Sequence, residues 1–232
     1  MATLDHYSYN IRNIARGGQG NSDDERLNIK QIRFWINGYR ASGLFEVTDY
    51  GKNIDPQLLQ DLGVVPLVEV DAADSSCPLV PWGCTIKKVV ISKLIDFPEL
   101  RALEYVGYIN KQSSFIINYP SVASYKKATR FGALSSRVYL IGNTLYFLLS
   151  KKDEFLEYVN IRGVFEQPES VKYYSENNCE GTCYNPQTDE YPMPARMYEY
   201  VLTKILRNEL NWTEQAVNDE LNNARKDNAK IG

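Results

Sequence analysis

Apolar residues recur at helical spacing near the start of the chain, where Ile29, Ile32, Ile36 and Tyr39 would form one stripe. The segment Ser22-Asp23-Asp24-Glu25 precedes this stripe, and it combines a capping residue with acidic residues that favour the start of a helix. The pattern therefore predicts an amphipathic helix whose apolar stripe packs into a core.

A second helical pattern occurs near the C-terminus. Pro194-Ala195-Arg196 is typical of a helix start, and Met197, Val201 and Ile205 follow on one face. Thr213 is predicted to cap a last helix that ends at about Lys226. Because the apolar face of the N-terminal helix is too small for that helix to be stable alone, the helix is expected to pack against the two C-terminal helices, which buries all three apolar stripes.

Between these helical segments the apolar residues follow the pattern of short β-strands that are rich in Val, Ile, Tyr and Phe. The predicted strands are 64–70, 85–92, 103–109, 114–119, 137–141, 144–149 and 158–165. Gly142-Asn143 separates two of them by two residues, which indicates a β-hairpin. Strands at this spacing predict a small antiparallel sandwich or barrel.

The predicted fold class is α+β, with an antiparallel β module inserted into a helical bundle. Residues 1–21, which are rich in Asn and Gly, are predicted to be a flexible N-terminal arm. Residues 22–63 and 194–232 would form the helical bundle, and this part includes a short helix over Asp55–Gly63. Residues 64–193 would form the inserted β domain with its loops, including a polar loop over 175–194.

Composition narrows the possible functions. The net charge of −3 lacks the basic excess of a dedicated nucleic-acid binder, and the lysine pairs at 87–88, 126–127 and 151–152 are interpreted as solvated surface. Seventeen tyrosines suit either partly dry interfaces or ordinary strands, and both interpretations stay open. The N-terminus does not resemble a secretion signal and no apolar run approaches ~20 residues, so a soluble protein made in a cytoplasm is expected.

The four cysteines, Cys77, Cys84, Cys179 and Cys183, are only weak candidates for a metal site. Their spacing does not match the CxxC pairs of zinc ribbons, and a cytoplasmic origin argues against a disulfide framework. Unpaired thiols in loops and no bound cofactor are therefore expected. A four-thiolate site would require both pairs to converge in space.

Catalytic motifs are sparse. His6 is the one histidine and lies in the predicted arm, which argues against a Ser-His-Asp or Cys-His device in the folded body. A carboxylate enzyme stays open as a minor alternative, because acidic residues near predicted loops are numerous. These acids, each interpreted as a turn residue or a solvated acid, are Asp49, Asp71, Asp74, Asp96 and Glu99.

Several segments resemble a structural protein of crAss-like phages and their relatives. Residues 31–36 (Gln-Ile-Arg-Phe-Trp-Ile) and 39–41 (Tyr-Arg-Ala) are similar to the first helix of that family. Residues 59–63 and 68–71 continue the pattern, and a Ser-Ser-Cys follows at 75–77. None of these segments is a chemical motif, so the resemblance depends on their order.

The resemblance extends towards the C-terminus. Residues 161–168 are similar to the family's closing strand, although Gln167 stands where the family's turn usually has Asp. Pro192-Met193-Pro194 and the aromatic-rich helix that ends at residues 204–207 resemble the layout of the tubular tail adaptor of short-tailed phages. Together the similar segments touch most of residues 25–210.

This resemblance implies a non-enzymatic virion protein of the phage neck. Such a protein would form a homo-oligomeric ring, a dodecamer, that joins the portal protein to the next tail or neck ring protein. It would line a channel through which DNA passes without sequence-specific binding, and it would bind no membrane. Another neck ring or a tail-hub protein is the first alternative, and a carboxylate- or metal-dependent enzyme is the second.

Overall fold

A computed structural model of the chain describes residues 2–15, 27–48, 54–70, 85–95, 102–118, 136–175 and 178–210. The chain divides into two compact units. One comprises residues 1–52 with 186–232, and the other comprises residues 53–185. Helices form the first unit and strands form the second, so the α+β fold class is confirmed.

Helix α1 (Leu4–Ala15) occupies most of the segment that was predicted to be a mobile arm. The Thr3 hydroxyl caps it by accepting a hydrogen bond from the His6 backbone at 3.2 Å. Leu4, Tyr7 and Ile11 share one face and are buried. The prediction of an arm was based on the asparagines and glycines of this segment. The structure differs because burial of the regularly spaced apolar face stabilises the helix.

Helix α2 (Ile29–Thr48) contains the predicted N-terminal stripe. Asn28 starts it, because its side-chain oxygen accepts a 2.9 Å hydrogen bond from the Lys30 backbone. Ile32 and Ile36 are buried as predicted, and the buried face continues through Arg40 to Leu44. The proposed start at residues 22–25 lies outside the described residues.

Helix α3 (Ala195–Lys204) begins directly after Pro194 and continues as a π-helical turn, Ile205–Glu209. Its buried face consists of Met197, Val201 and Ile205, as the spacing predicted. Both α1 and α3 contact α2. The predicted helix from Thr213 to Lys226 lies outside the described residues.

The β unit contains two five-stranded sheets. The strands are β1 (Gln60–Pro66), β2 (Val68–Glu69), β3 (Thr85–Val90), β4 (Leu103–Gly107), β5 (Ile116–Asn118), β6 (Arg137–Ile141), β7 (Thr144–Leu149), β8 (Tyr158–Gly163), β9 (Lys172–Ser175) and β10 (Asn178–Cys183). The first sheet has the order β10-β9-β1-β8-β4, and the second has the order β2-β3-β7-β6-β5.

The two sheets face each other across one apolar core, to which both contribute alternate residues. Val65, Val106 and Val159 come from the first sheet, and Val138 and Phe147 come from the second. The fold is thus a sandwich, but it is not purely antiparallel, because β1 pairs with β9 and β5 pairs with β6 in parallel. The predicted hairpin is confirmed between β6 and β7. Its Gly142 has φ of 59°, which suits the first position of a type II′ turn.

Local signals were incomplete in two places. Only Pro56–Leu58 forms a helical turn where a helix was predicted over Asp55–Gly63, because the following residues pair as β1 with β8. The predicted polar loop over 175–194 contains β10, which pairs with β9. Strands β9 and β10 have few apolar residues, so their pairing is not visible in the hydrophobic pattern.

The borders of the units also differ from the predicted ones. Residues 53–63 belong to the β unit since they lead into β1, whereas 186–193 belong to the helical unit. In the latter segment Tyr191 and Met193 are fully buried, and the Tyr191 backbone donates a 3.1 Å hydrogen bond to Ala2. Among the described helices, none combines the length and apolarity needed to cross a membrane.

Candidate assembly surface

The structure describes two of the four cysteines that are weak candidates for a metal site. Cys183 lies exposed on β10, and Cys179 belongs to the same strand. Cys77 and Cys84 lie outside the described residues. Within the described ranges no three His, Cys, Asp or Glu side chains form a cluster that could hold a metal ion. The expectation of unpaired thiols without a bound metal therefore stays a prediction, which metal analysis of the purified protein would test.

Of the residues considered for catalysis, the structure describes only His6. His6 is exposed on α1. The acidic residues that were considered for a carboxylate enzyme, Asp49, Asp71, Asp74, Asp96 and Glu99, all lie outside the described residues. The described carboxylates whose pKa is perturbed are instead Asp61 and Asp153, and both belong to one end of the β unit.

Two loops meet at that end, and we call residues 108–113 together with residues 150–156 the double-loop tip. The first loop leads from β4 in the first sheet to β5 in the second, and the other leads from β7 in the second sheet to β8 in the first. Both loops therefore cross between the sheets. Gly107 in β4 pairs with Asn160 in β8, which brings the end of one strand beside the start of the other.

Asp153 is the centre of the hydrogen bonds that hold the second loop. Its carboxylate accepts hydrogen bonds from the hydroxyls of Tyr108 (2.7 Å), Ser150 (3.2 Å) and Ser136. Burial opposes its ionisation, but the hydrogen bonds and the charge of Lys152 outweigh that effect, so the pKa of Asp153 lies below 3.8. Burial and the bond to Asp153 raise the pKa of Tyr108 to about 12.

Hydrogen bonds also hold the first loop in place. The Tyr105 hydroxyl lies 2.9 Å from the carbonyl oxygens of both Tyr108 and Ser113. Lys111 has φ of 57°, which is uncommon for a residue with a side chain, and its backbone donates a 3.0 Å hydrogen bond to Tyr108. Its ammonium group donates a 2.5 Å hydrogen bond to Asp61 in β1. The turn is thus tied to the first sheet.

Asp61 also stabilises the shift in register between β1 and β8. Its carboxylate accepts hydrogen bonds from the Asn160 side chain (2.8 Å) and the Gly63 backbone (3.0 Å) where the β1–β8 register shifts. Burial opposes the charge, yet Lys111 and these two donors outweigh it and hold the pKa of Asp61 below 3.8. Sequence reasoning did not identify this acid, because its two side-chain donors, Lys111 and Asn160, come from distant parts of the chain.

Lys87 corrects the interpretation of the lysine pairs as solvated surface. It is 5% exposed and points into the sandwich, while Lys151 and Lys152 are exposed as predicted. Its ammonium group donates a 2.9 Å hydrogen bond to the Leu156 carbonyl at the end of the second loop. It also lies 3.9 Å from Glu69. The alternation along β3 could have indicated its inward direction, because Val89 is two residues away.

The double-loop tip presents two apolar side chains to solvent. Phe155 is 86% exposed and Ile109 is 43% exposed. Phe155 is thus an exposed aromatic residue on a loop that hydrogen bonds of Asp153 and Lys87 hold in place. The sequence signal for it was an aromatic residue directly after the charged run Lys151-Lys152-Asp153-Glu154.

The outer face of the second sheet is also apolar. Tyr139 and Tyr146 are buried in a small cluster there, whereas Val68, Val90 and Ile116 on the same face are 60%, 67% and 59% exposed. The register assigns these residues to one face, because each alternates with neighbours that point into the sandwich core. This face and the double-loop tip supply the β unit's exposed large apolar side chains among the described residues.

The helical unit contains a buried arginine. Arg40 is fully buried on α2, and its Nε donates a 2.9 Å hydrogen bond to the Pro192 carbonyl. Its guanidinium carbon lies 5.7 Å from the centre of the Tyr191 ring, and the Tyr191 hydroxyl donates a 2.6 Å hydrogen bond to Asn37. Burial lowers the pKa of Arg40, and Tyr191 partly opposes this shift. Arg40 thereby fixes the chain that leads into α3.

Comparison with known proteins shows the family of the chain. The family model described as phage tail ring protein 2, from crAss-like phages, matches residues 7–228. No curated protein matches the chain. The family match spans both compact units and nearly the whole sequence. The chain therefore belongs to the phage tail ring protein 2 family of the crAss-like phages, a family of structural proteins of the virion tail.

Proposed function

We propose that this protein forms a homo-oligomeric ring, a dodecamer, in the neck of the phage. The ring joins the portal protein to the next tail or neck ring protein, and its inner wall lines the channel through which DNA passes. The protein works by binding and does not catalyse a reaction. The observation that carries this proposal is the ring-family match over residues 7–228.

The exposed apolar residues support self-assembly. Cyclic rings use a heterologous interface, in which two different surfaces of each subunit meet. The β unit offers two such surfaces, since Phe155 projects from a fixed loop and Val90 lies on a sheet face. In a monomer, apolar side chains exposed to this extent contribute no free energy of burial, whereas a permanent interface removes them from water.

Charge and the environment of the acids support a passive channel. The net charge of −3 avoids the strong attraction to phosphates that would retard DNA in a basic pore. Asp61 and Asp153 accept hydrogen bonds from groups of their own unit, which is the environment of structural acids. A general acid would instead have to donate a proton to a substrate, and a general base would have to accept one from it.

The mass of the native assembly tests the proposal. Native mass spectrometry and light scattering of the full chain, with and without the portal protein, should detect a dodecamer that binds the portal. A chain that stays monomeric at every concentration and never binds the portal would contradict it. Electron microscopy of the virion would then decide between this position and another neck or tail-hub ring, by locating the subunit relative to the portal.

A further inference from the structure

We infer that the two loops of the double-loop tip open and close as one element, which the ion pair between Lys111 and Asp61 holds closed. Lys111 is thereby a positioning residue for the loop that carries Phe155, although its own hydrogen bonds are to β1 and to the first loop. The inference concerns the single chain, and it does not depend on the proposed ring.

The ion pair that closes the tip is partly open to solvent. The Lys111 ammonium group lies 2.5 Å from the Asp61 carboxylate, and the two side chains are 56% and 36% exposed. Asp61 is held on its other side by the Asn160 side chain and the Gly63 backbone. A carboxylate that is fixed on the first sheet therefore restrains the turn of the first loop at Lys111.

Tyr108 connects the first loop to the second. Its carbonyl oxygen accepts a 3.0 Å hydrogen bond from the Lys111 backbone, and its hydroxyl donates a 2.7 Å hydrogen bond to Asp153. Its ring centre lies 4.9 Å from that of Phe115, which is buried. Since one residue supplies both bonds, a movement of the first loop at Tyr108 would also withdraw a donor from Asp153.

Asp153 connects this side-chain bond to the backbone of the second loop. Its carboxylate accepts hydrogen bonds from Tyr108, Ser136 and Ser150. Its backbone donates a 2.9 Å hydrogen bond to the Ser150 carbonyl, and its carbonyl accepts one of 2.9 Å from the Leu156 backbone. Loss of a donor to a partly buried carboxylate is costly, so opening of the first loop favours opening of the second.

Amide exchange with deuterium in the full chain tests this coupling. Lys111→Met removes the charge and retains the apolar stem. We expect exchange to accelerate about threefold at Tyr108 in the first loop, which is the effect of losing a partly exposed ion pair. If the loops open together, the amides of Asp153 and Leu156 in the second loop should accelerate by the same factor.

Lys93→Met is the matched control. Lys93 and Glu166 form an ion pair of 2.6 Å whose side chains are 67% and 33% exposed. Glu166 follows the end of β8, whereas the double-loop tip adjoins the start of that strand. The control variant thus loses a similar pair within the same unit, and it should change the exchange of Asp153 and Leu156 by less than about 1.5-fold.

Tyr108→Phe tests the route of the coupling. Without the hydroxyl, the two loops should open separately, because their side-chain link through Asp153 is lost. Addition of Lys111→Met to the Tyr108→Phe chain should then accelerate exchange at residue 108 only. The amides of Asp153 and Leu156 should keep the rates that they have in Tyr108→Phe alone.

Three results would overturn the inference. The first is an acceleration by Lys111→Met that is confined to the first loop, or no acceleration in either loop. The second is an equal acceleration of Asp153 and Leu156 by Lys93→Met, which would reflect a general loss of stability. The third is a full effect of Lys111→Met on the second loop in the Tyr108→Phe chain, because the coupling would then bypass the tyrosine hydroxyl.

Discussion

Tyr108 and Asp153 connect the two loops of the double-loop tip through a 2.7 Å hydrogen bond from the tyrosine hydroxyl to the carboxylate. Each loop passes from one sheet to the other, so this one bond also links the two crossings. The arrangement explains how a surface loop can present Phe155 without being free to move.

Replacement of Tyr108 by Phe removes this hydrogen bond and keeps the ring. We expect the free energy of unfolding to fall by about 1 kcal/mol, the usual net contribution of such a bond. Backbone amides of residues 150–156 should exchange with deuterium faster. Tyr9→Phe serves as the control, since Tyr9 is exposed on α1, and it should change stability by less than about 0.5 kcal/mol.

Acid should destabilise the β unit through Asp61 and Asp153. The folded-state pKa of each lies below 3.8, so each stabilises the folded state above that pH and loses this contribution as the pH falls through its folded-state pKa. Chemical denaturation between about pH 5 and pH 2 should show a smaller pH dependence for Asp61→Asn than for the unmodified chain. An identical pH dependence in the two proteins would contradict the assignment.

The hydrogen bond from Lys87 to Leu156 should be needed to keep the second loop ordered. Lys87→Met retains the apolar stem but leaves the Leu156 carbonyl without this donor, which should cost about 1–3 kcal/mol and speed amide exchange in residues 150–156. Lys88→Met is the control, because Lys88 points to the opposite face of β3. Equal effects of the two variants on stability and amide exchange would contradict a specific role for the inward-pointing Lys87.

Arg40 should stabilise the helical unit more than any surface arginine does. Arg40→Met removes the hydrogen bond to Pro192 and the contact of the charge with Tyr191, and we expect a loss of ~2–3 kcal/mol in unfolding free energy. Arg196→Met changes an exposed arginine at the start of α3 and should stay within about 0.5 kcal/mol. Denaturation curves of the two variants measure the difference.

Gly63 should resist substitution for a steric reason. Its φ is 79°, and an added Cβ would lie 2.1 Å from the Tyr174 carbonyl oxygen in β9. Gly142 has a similar φ of 59° but open space around it. Gly142→Ala should therefore cost only ~1 kcal/mol from backbone strain, whereas Gly63→Ala should cost well above that and disrupt the β1–β9 pairing. Thermal unfolding of both variants measures the difference between backbone strain alone at residue 142 and strain combined with a steric clash at residue 63.

Hydrophobic spacing by itself determined much of the fold. It placed the strands from β3 to β8, the β6–β7 hairpin and the buried stripes of α2 and α3, because apolar residues two or three to four positions apart indicate which face must leave water. It failed for β9 and β10, which have little apolar signal and depend on pairing with distant strands. It also missed α1, because the Asn residues of this helix and the Gly residues that follow it obscured the spacing of Leu4, Tyr7 and Ile11.

Only the tertiary structure decided how the polar residues act. The sequence shows Lys87 and Lys88 as one charged pair, but the register of β3 turns the first into the core and the second outward. It likewise shows Asp61 and Asp153 as ordinary loop or strand acids, whereas their donors come from residues up to about a hundred positions away. Local periodicity indicates which residues are buried, whereas hydrogen bonds between groups that are distant in sequence depend on the tertiary fold. The fixed loop that exposes Phe155 is a product of those distant bonds.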